Sequence, residues 1–432
     1  MKQHISEWCE EHSSSSVMKA MYNIVELFRR IPKAAKVKRV MTAQQSLKKD
    51  HSDINVVFLI QYIPSWNNYK PIYNAMLKDA SVNPYIVCIP NDLNCSADEN
   101  EVYKHFADNG YECINAKNPD GSWFDLETVK ADYVFYSRPY NHFMPSAYQT
   151  SAVARYAKIC DVLYGMIFYK EMYKDLINRD FFMWCYCFYA DSVGERDFNI
   201  GQFASPHKKG LQRSVYLGHP GLTQIVRSRD ESSSSWDFSK GGFRVMWTPR
   251  WTTDEKQGGN NFFKYKDFLV SFAADNPDAD LLFRPHPLAF KNFIEKGLMS
   301  EEDVEKFKKH CAESPNMRID QNKEYAGTLW NTDVLVTDVS GIMFEYFVTG
   351  KPMVFCNLPV GLKYVEEVNK LLEGCYIINN ASELEEVLIQ LKNGNDTLKE
   401  KRLQIIEELF GDKLDNADRL IVEDIKKDYG IT

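Results

Sequence analysis

No window of this sequence reaches the uninterrupted apolar length of a membrane span, and Met1–Ser16 lacks the basic stretch and apolar run of a secretory leader. Both absences predict a cytoplasmic protein. The ten cysteines, among them Cys9, Cys88, Cys95, Cys160, Cys185, Cys187, Cys311 and Cys356, form no pair of Cys-x-x-Cys units. That excludes a zinc site of this type and leaves buried reduced thiols as the expectation; no ligand cluster requires a metal. An excess of positive charge is missing as well. Against 52 Lys and Arg stand 60 Asp and Glu, a net charge of -8. A general nucleic-acid binder is excluded, because affinity for a polyphosphate backbone comes from basic neutralisation. Any phosphate recognition must therefore be local.

What is present fits two domains. The 432 residues exceed what one core usually supports, and 44% hydrophobic with 26% charged residues is ordinary for a globular chain. The regular pattern starts at Ile54, where Ile54–Ile60 reads as a strand, Tyr69–Ala80 as a helix and Tyr85–Pro90 as a second strand, one βαβ unit. The loop Gln61–Asn68 between them is polar and aromatic and has no glycine fingerprint, so a dinucleotide cofactor is excluded there. Asp132–Tyr136 is a further strand running into Ser137-Arg138-Pro139-Tyr140-Asn141-His142.

The segment Asp333–Glu345 is the richest in chemistry. Val334–Val336 is a β-branched run of the kind buried on both faces of a parallel sheet, and Ile342, Met343, Tyr346 and Phe347 follow at helical spacing. Ser340 and Gly341 then fall at a helix N-terminus on the carboxyl edge of the sheet, where open α/β sheets bind phosphates. Thr337 or Ser340 can add a hydroxyl donor, Asp338 shares the turn, and Glu345, one turn in, suits a ribose hydroxyl pair better than a phosphate. The competing reading is an ordinary strand–helix unit capped by Ser340. In Ala279–Pro287, a second apolar strand ends in Arg284-Pro285-His286-Pro287, where two prolines restrict the backbone around a planar cation and an imidazole. A rigid surface loop is the alternative for this tetrapeptide.

Together with the strand-like Phe243–Arg250, these segments resemble the CDP-glycerol:poly(glycerophosphate) glycerophosphotransferase family, the teichoic-acid and capsule polymerase-like enzymes. Trp247-Thr248-Pro249, Arg284-Pro285-His286-Pro287, and Thr337-Asp338-Val339-Ser340-Gly341 through Lys351-Pro352 carry the resemblance. It implies a GT-B-like α/β architecture of two facing Rossmann-like domains with parallel sheets. It also implies a CDP-glycerol or related CDP-polyol donor in the second domain and metal-independent transfer of a glycerol-phosphate unit. The acceptor would be a glycan, a lipid-linked glycan or a polyol-phosphate polymer. Departures from the family pattern are Gly341 in place of a second serine, Glu345 in place of an aspartate, and no Trp-His-Gly motif in the first half. Thr337 through Lys351-Pro352 is also similar to the nucleotide segment of UDP-N-acetylglucosamine 2-epimerases, which keeps a nucleotide-sugar enzyme open. A non-catalytic assembly subunit with a degenerate transferase fold is the other alternative.

The expected division is a basic amphipathic segment at 1–52, an acceptor-side domain at 53–226, a serine-rich linker at 227–241, a donor domain at 242–397 and C-terminal helices at 398–432 packing back. The catalytic candidates are His286, stabilising the transferring or leaving oxygens, and His142, the base for the acceptor hydroxyl; a surface histidine is the alternative for the latter. The substrate-binding candidates are Arg284, Thr337, Asp338, Ser340, Gly341, Glu345, Arg250 and Arg138, with Arg138 and His142 facing His286 across the cleft. His219, in Leu217-Gly218-His219-Pro220-Gly221, is a further cleft residue. Gln257–Asn261 either closes over the donor or is a plain turn. Basic residues from Lys19 to Lys49 flank an apolar stripe of Val17, Met21, Ile24, Val25 and Phe28, which either lies on the anionic inner leaflet or packs on the first domain.

Overall fold

The computed structural model describes residues 32–47, 51–90, 100–163, 165–173, 179–322 and 324–431. Its first sheet contains β1 (Ile54–Ile60), β2 (Val82–Cys88), β3 (Cys113–Asn115), β4 (Tyr133–Tyr136), β5 (Lys158–Val162), β6 (Cys185–Ala190) and β7 (Arg213–Tyr216). They lie in the order β3-β2-β1-β4-β5-β6-β7 and pair in parallel throughout. Every residue of β1 is buried, the condition of a strand covered by helices on both faces. On one face α1 (Trp66–Met76) sets Trp66, Tyr69 and Tyr73 edge-on around the ring of Phe58. Two further helices, α2 (Val193–Gln202) and α3 (Pro220–Arg227), follow β6 and β7.

The second sheet contains β8 (Phe243–Thr248), β9 (Ala279–Phe283), β10 (Met317–Ile319), β11 (Val334–Thr337), β12 (Met353–Cys356) and β13 (Tyr376–Ile378), in the order β10-β9-β8-β11-β12-β13. All its pairings are parallel too. In both sheets the chain starts at a central strand, winds outward, and returns to the other side of that strand. Each sheet therefore has a topological switch point, β1 beside β4 and β8 beside β11. There the loops leaving the carboxyl ends diverge and open a crevice.

The helix after β11 is α4 (Ile342–Phe347), and the one after β12 is α5 (Glu366–Leu372). One apolar core is continuous from the first sheet through Leu222 and Ile225 of α3 to Met343, Phe344 and Phe347 of α4. Backbone bonds join the two halves at Lys170 N–H to Lys363 O (3.0 Å) and Val365 N–H to Phe168 O (3.0 Å). At the other end of the chain α6 (Ala417–Tyr429) lies back on α1 and the edge of the first sheet. Asp428 accepts from Tyr186 (2.5 Å), Tyr133 (2.6 Å) and Lys158 (2.7 Å). Asp424 takes Arg213 (2.8 Å) and Tyr189 (2.9 Å), and Lys426 reaches Asp79 (2.6 Å).

Residues 32–45 are helical, with Val37 and Met41 buried and Lys33, Lys36, Lys38 and Arg39 exposed; Gln45 donates to Gly210 O (2.8 Å). This part packs on the protein with its basic face in solvent. The apolar stripe expected from Val17 to Phe28 lies outside the described residues. The serine-rich stretch is pinned to the second sheet's helices: Ser235 donates to Asp320 (2.9 Å) and Trp236 Nε1 to Thr328 O (3.2 Å). Among the described residues no helix is long and apolar enough to cross a membrane, and no group of His, Cys, Asp and Glu could hold a metal ion.

Candidate active site

Both switch points carry residues singled out by the sequence. In the first, Gln61 after β1 donates its backbone N–H to Ser137 Oγ (2.8 Å), and its side-chain amide donates to Phe143 O (2.9 Å) and Pro90 O (3.2 Å). Gln61 thereby fixes the turn Asn141–Phe143 that bears His142. The guanidinium of Arg138 lies 3.9 Å above the ring of Tyr62, so one loop from each side of the crevice meets there. His142 is exposed, with its ring against Phe143 (3.8 Å between centroids) and Tyr140 (5.8 Å). Its described contacts are with its own loop, and none joins it to the second domain.

In the second domain, Thr248 and Thr337 close the ends of β8 and β11, hydroxyl to hydroxyl at 2.9 Å, and Thr337 also donates to Thr248 O (2.9 Å). Thr337, 1% exposed, is spent on this junction rather than offered to a ligand. Asp338 is equally buried. It accepts from Arg250 N–H (2.6 Å) and Asn261 N–H (3.1 Å), while burial pushes its carboxyl up to about 7. Arg250 is buried too, its guanidinium donating to Gln257 O and to Tyr169 OH (3.2 Å) of the first domain. Thr337, Asp338 and Arg250 thus build the floor of the site and its tie to the first domain, whereas the sequence suggested ligand contacts. Gln257–Asn261 is a packed turn: a Cβ on Gly258, at φ +94, would lie 2.8 Å from Leu358 Cδ1.

Ser340 and Gly341 form the accessible lip. Ser340 is half-buried, and Gly341 is exposed, stands at the N-cap of α4 and has no side-chain cap bond. No atom lies within 4 Å of where a Gly341 Cβ would be. Its φ of -53 is ordinary helical backbone, so a serine fits this position sterically.

On the other flank of β8, Arg284 and His286 stand at the end of β9. Arg284 donates to Asp320 (2.5 Å) and Asn322 O (3.0 Å), so its charge is already matched by a buried carboxylate. Its guanidinium covers the ring of Tyr325 at 4.4 Å. The Tyr325 hydroxyl lies 2.9 Å from both carboxyl oxygens of Glu345. Burial raises the Glu345 carboxyl to about 7, opposed by the Tyr325 hydrogen bond and the Arg284 charge. Tyr62, from the first domain, is close enough to contribute to the field at Tyr325.

His286 stacks on Trp251 (5.6 Å, 27°) and accepts the Leu288 N–H at Nδ1 (3.1 Å), which assigns the proton of the neutral ring to Nε2. Partial desolvation of the ring lowers its basicity toward about 4, while the residue keeps an exposed edge. Either way His286 is a neutral donor near neutral pH rather than an imidazolium. His219, the N-cap of α3, is 7% exposed; Nε2 faces Leu163 O (3.3 Å), Nδ1 is buried without a protein partner, and burial lowers it to about 4.

The structure therefore brings together Arg284, His286, Glu345, Ser340 and Gly341 around the second switch point, and Arg138 with Tyr62 at the first. Tyr325, Asp320 and Trp251 escaped the sequence reading, for they belong to no motif and their role arises only from the folding of separate loops. Hydroxyl and N–H donors at the start of α4, a carboxylate one turn along it and a neutral imidazole donor at the end of β9 form a set of groups suited to a nucleoside diphosphate.

The profile of the CDP-glycerol:poly(glycerophosphate) glycerophosphotransferase family matches residues 203–424, more than half of the chain. Teichoic acid ribitol-phosphate polymerase TarK of Staphylococcus aureus is 25% identical over 173 residues, which are 39% of this chain and 29% of that protein. The match thus spans less than a third of the curated relative. Among solved structures, UDP-GlcNAc 2-epimerase from Neisseria meningitidis bound to UDP-GlcNAc superposes with a TM-score of 0.59 at 12% identity, over 87% of this chain and 100% of the other. The wall teichoic acid polymerase TagF gives 0.56 at 16% identity, over 94% and 99%. At such identities these structures establish the shared two-domain, GT-B-like α/β fold alone. The sequence match over residues 203–424, which contains every second-domain residue described above, places the chain in the CDP-glycerol:poly(glycerophosphate) glycerophosphotransferase family.

Proposed function

We propose that the protein transfers a glycerol-phosphate or related polyol-phosphate unit from a CDP-linked donor, CDP-glycerol in the first instance. The acceptor is a hydroxyl of a glycan, lipid-linked glycan or polyol-phosphate polymer, and the product belongs to a cell-envelope polymer of the teichoic acid or capsule type. The acceptor oxygen forms a bond to the β-phosphorus, the bond from that phosphorus to the bridging oxygen breaks, and CMP leaves with the bridging oxygen. Ser340 and the Gly341 N–H bind the diphosphate, Glu345 holds the ribose, and His286 donates Nε2–H to the transferring or leaving oxygens. Arg284 orders this wall rather than neutralising the donor. Positioning and charge stabilisation carry the reaction, as phosphoryl transfer requires. Arg138 and the His142 turn are offered to the acceptor; His142 is the accessible base, and His219, with its unpartnered Nδ1, is the other histidine at a strand end. Domain limits near 53–226 and 242–397, and a cytoplasmic location with contact at the inner leaflet through the basic N-terminal segment, belong to the same reading.

The observation that carries it is the family match across the second domain, whose accessible strand-end residues suit a nucleoside diphosphate. Incubation with CDP-glycerol and UDP-N-acetylglucosamine in parallel tests it. Release of CMP on addition of acceptor is expected, and turnover of the UDP-sugar alone would assign the chain to sugar chemistry. If neither nucleotide raises the melting temperature, the reading fails in favour of a non-catalytic subunit. A ligand at a hundredfold over its dissociation constant adds about 2.7 kcal/mol.

A further inference from the structure

Tyr325 sits between two groups, Arg284 and Glu345, that the folding of distant segments brings together. Its ring face carries the Arg284 guanidinium at 4.4 Å, its hydroxyl is 2.9 Å from each Glu345 oxygen, and Arg284 is itself anchored by Asp320 and Asn322 O. These residues come from the end of β9, the loop after β10 and the first turns of α4, so no single element sets their geometry. A hydroxyl equidistant from both oxygens of one carboxyl shares its single proton between them, fixes the carboxyl's orientation and leaves an outward lone pair on each oxygen free to accept from a ligand hydroxyl.

We propose that Tyr325 is the positioning residue of the donor pocket, holding the Glu345 carboxyl in the orientation in which it accepts from the ribose. The inference rests on the donor reading above and adds a residue and a regulation to it. The groups facing Glu345 are Tyr325 and Arg284; Asp320 faces Arg284 from behind, and Tyr62 faces Tyr325 from the first domain. Burial alone favours the neutral carboxyl, and a protonated Glu345 loses one of the two acceptors. The Tyr325 hydrogen bond counters this, and the Arg284 charge aids it. Removal of the hydroxyl therefore moves the ionisation of Glu345 upward, out of the neutral range.

Tyr325→Phe keeps the ring under Arg284 and deletes only the hydroxyl. Titrations of wild type, Tyr325→Phe and Glu345→Gln with CDP, UDP and 2′,3′-dideoxy-CDP across neutral to alkaline pH test the proposal, with melting curves to verify folding. For Tyr325→Phe, CDP affinity should fall about tenfold at neutral pH and recover as pH rises, an upward displacement of the binding profile by roughly one unit or more. Glu345→Gln should bind weakly with no such profile, and the dideoxy ligand should bind all three proteins alike. A loss of equal size at every pH, or one that persists with the dideoxy ligand, reduces Tyr325 to packing and overturns the proposal; so does unchanged affinity. Because ribose is common to both nucleotides, binding of UDP without CDP overturns the choice of donor base and leaves the Tyr325 result standing on the UDP data. Binding of neither by the wild type overturns both.

Discussion

A neutral imidazole and an ionic one make different demands on a phosphate, and His286 is built as the former. Its Nδ1 is occupied by the Leu288 N–H, its face by Trp251, and its basicity is held below the usual imidazole value. The proton it offers is the one on Nε2, and it stays there as pH rises. His286→Ala should lower the rate of acceptor-dependent CMP release by roughly 100-fold with CDP affinity little changed, since a donor aimed at developing charge acts on the transition state. Wild-type turnover in a folded variant would remove His286 from the chemistry. In the wild type, no loss of rate is expected as pH climbs through the ordinary histidine range, a point a pH–rate series on that assay checks. The position of His286 and Arg284 at a strand end was legible in the sequence, because an apolar run stopped by two prolines is a local signal. The fate of Arg284 was not. Asp320 and Tyr325 reach it from another loop, and nothing in Arg284-Pro285-His286-Pro287 marks a cation already paired.

At the scale of elements, most of the buried strands were readable closely, although the strand expected at Tyr85–Pro90 starts three residues earlier, at Val82. Ile54–Ile60 and Ala279–Phe283 match the observed strands, and Val334–Val336 needs only Thr337 added, since these short, mainly apolar runs suit parallel strands buried on both faces. Strands with mixed composition escaped notice. The half-buried Arg213–Tyr216, β7, offers no apolar run because it is an edge strand whose charges are met by α6. That helix buries Ile421, Val422 and Ile425 in the core and adds polar contacts to the first sheet, with Asp428 receiving two tyrosine hydroxyls and Lys158 in a site where neither charge is well solvated. The partners hold the Asp428 carboxyl below its usual range in spite of burial. Asp428→Ala leaves a half-buried lysine and two hydroxyls without their acceptor, and should destabilise the protein by about 3 kcal/mol or more. The check is the urea midpoint of the variant, and an unchanged midpoint would mean that α6 is held by its apolar face alone.

At the scale of the molecule, burial raises more carboxyls than it lowers histidines among the described residues. Asp161, Asp338 and Glu345 are raised to about 7 and Asp191 to about 6, each mainly by burial, while His219 and His286 are lowered to about 4. A carboxyl whose folded value lies above its unfolded one binds its proton more tightly when folded. Its stabilising contribution is complete below the unfolded value and is lost as pH rises through the folded one. A histidine with a depressed value does the reverse, contributing above its unfolded value and losing that contribution as pH falls. The two sets therefore oppose each other over the acid-to-neutral range. The carboxyls prevail in number, and His286 counts for less because solvent reaches it. Stability should accordingly rise as pH is lowered from about 8 to about 6, with the melting temperature following it. Asp161→Asn, which removes one titrating group from the buried strand β5, should flatten that slope. A melting temperature that instead climbs steadily toward alkaline pH would mean that these carboxyls are ionised in the folded protein, and that the crevice is wetter than its packing implies.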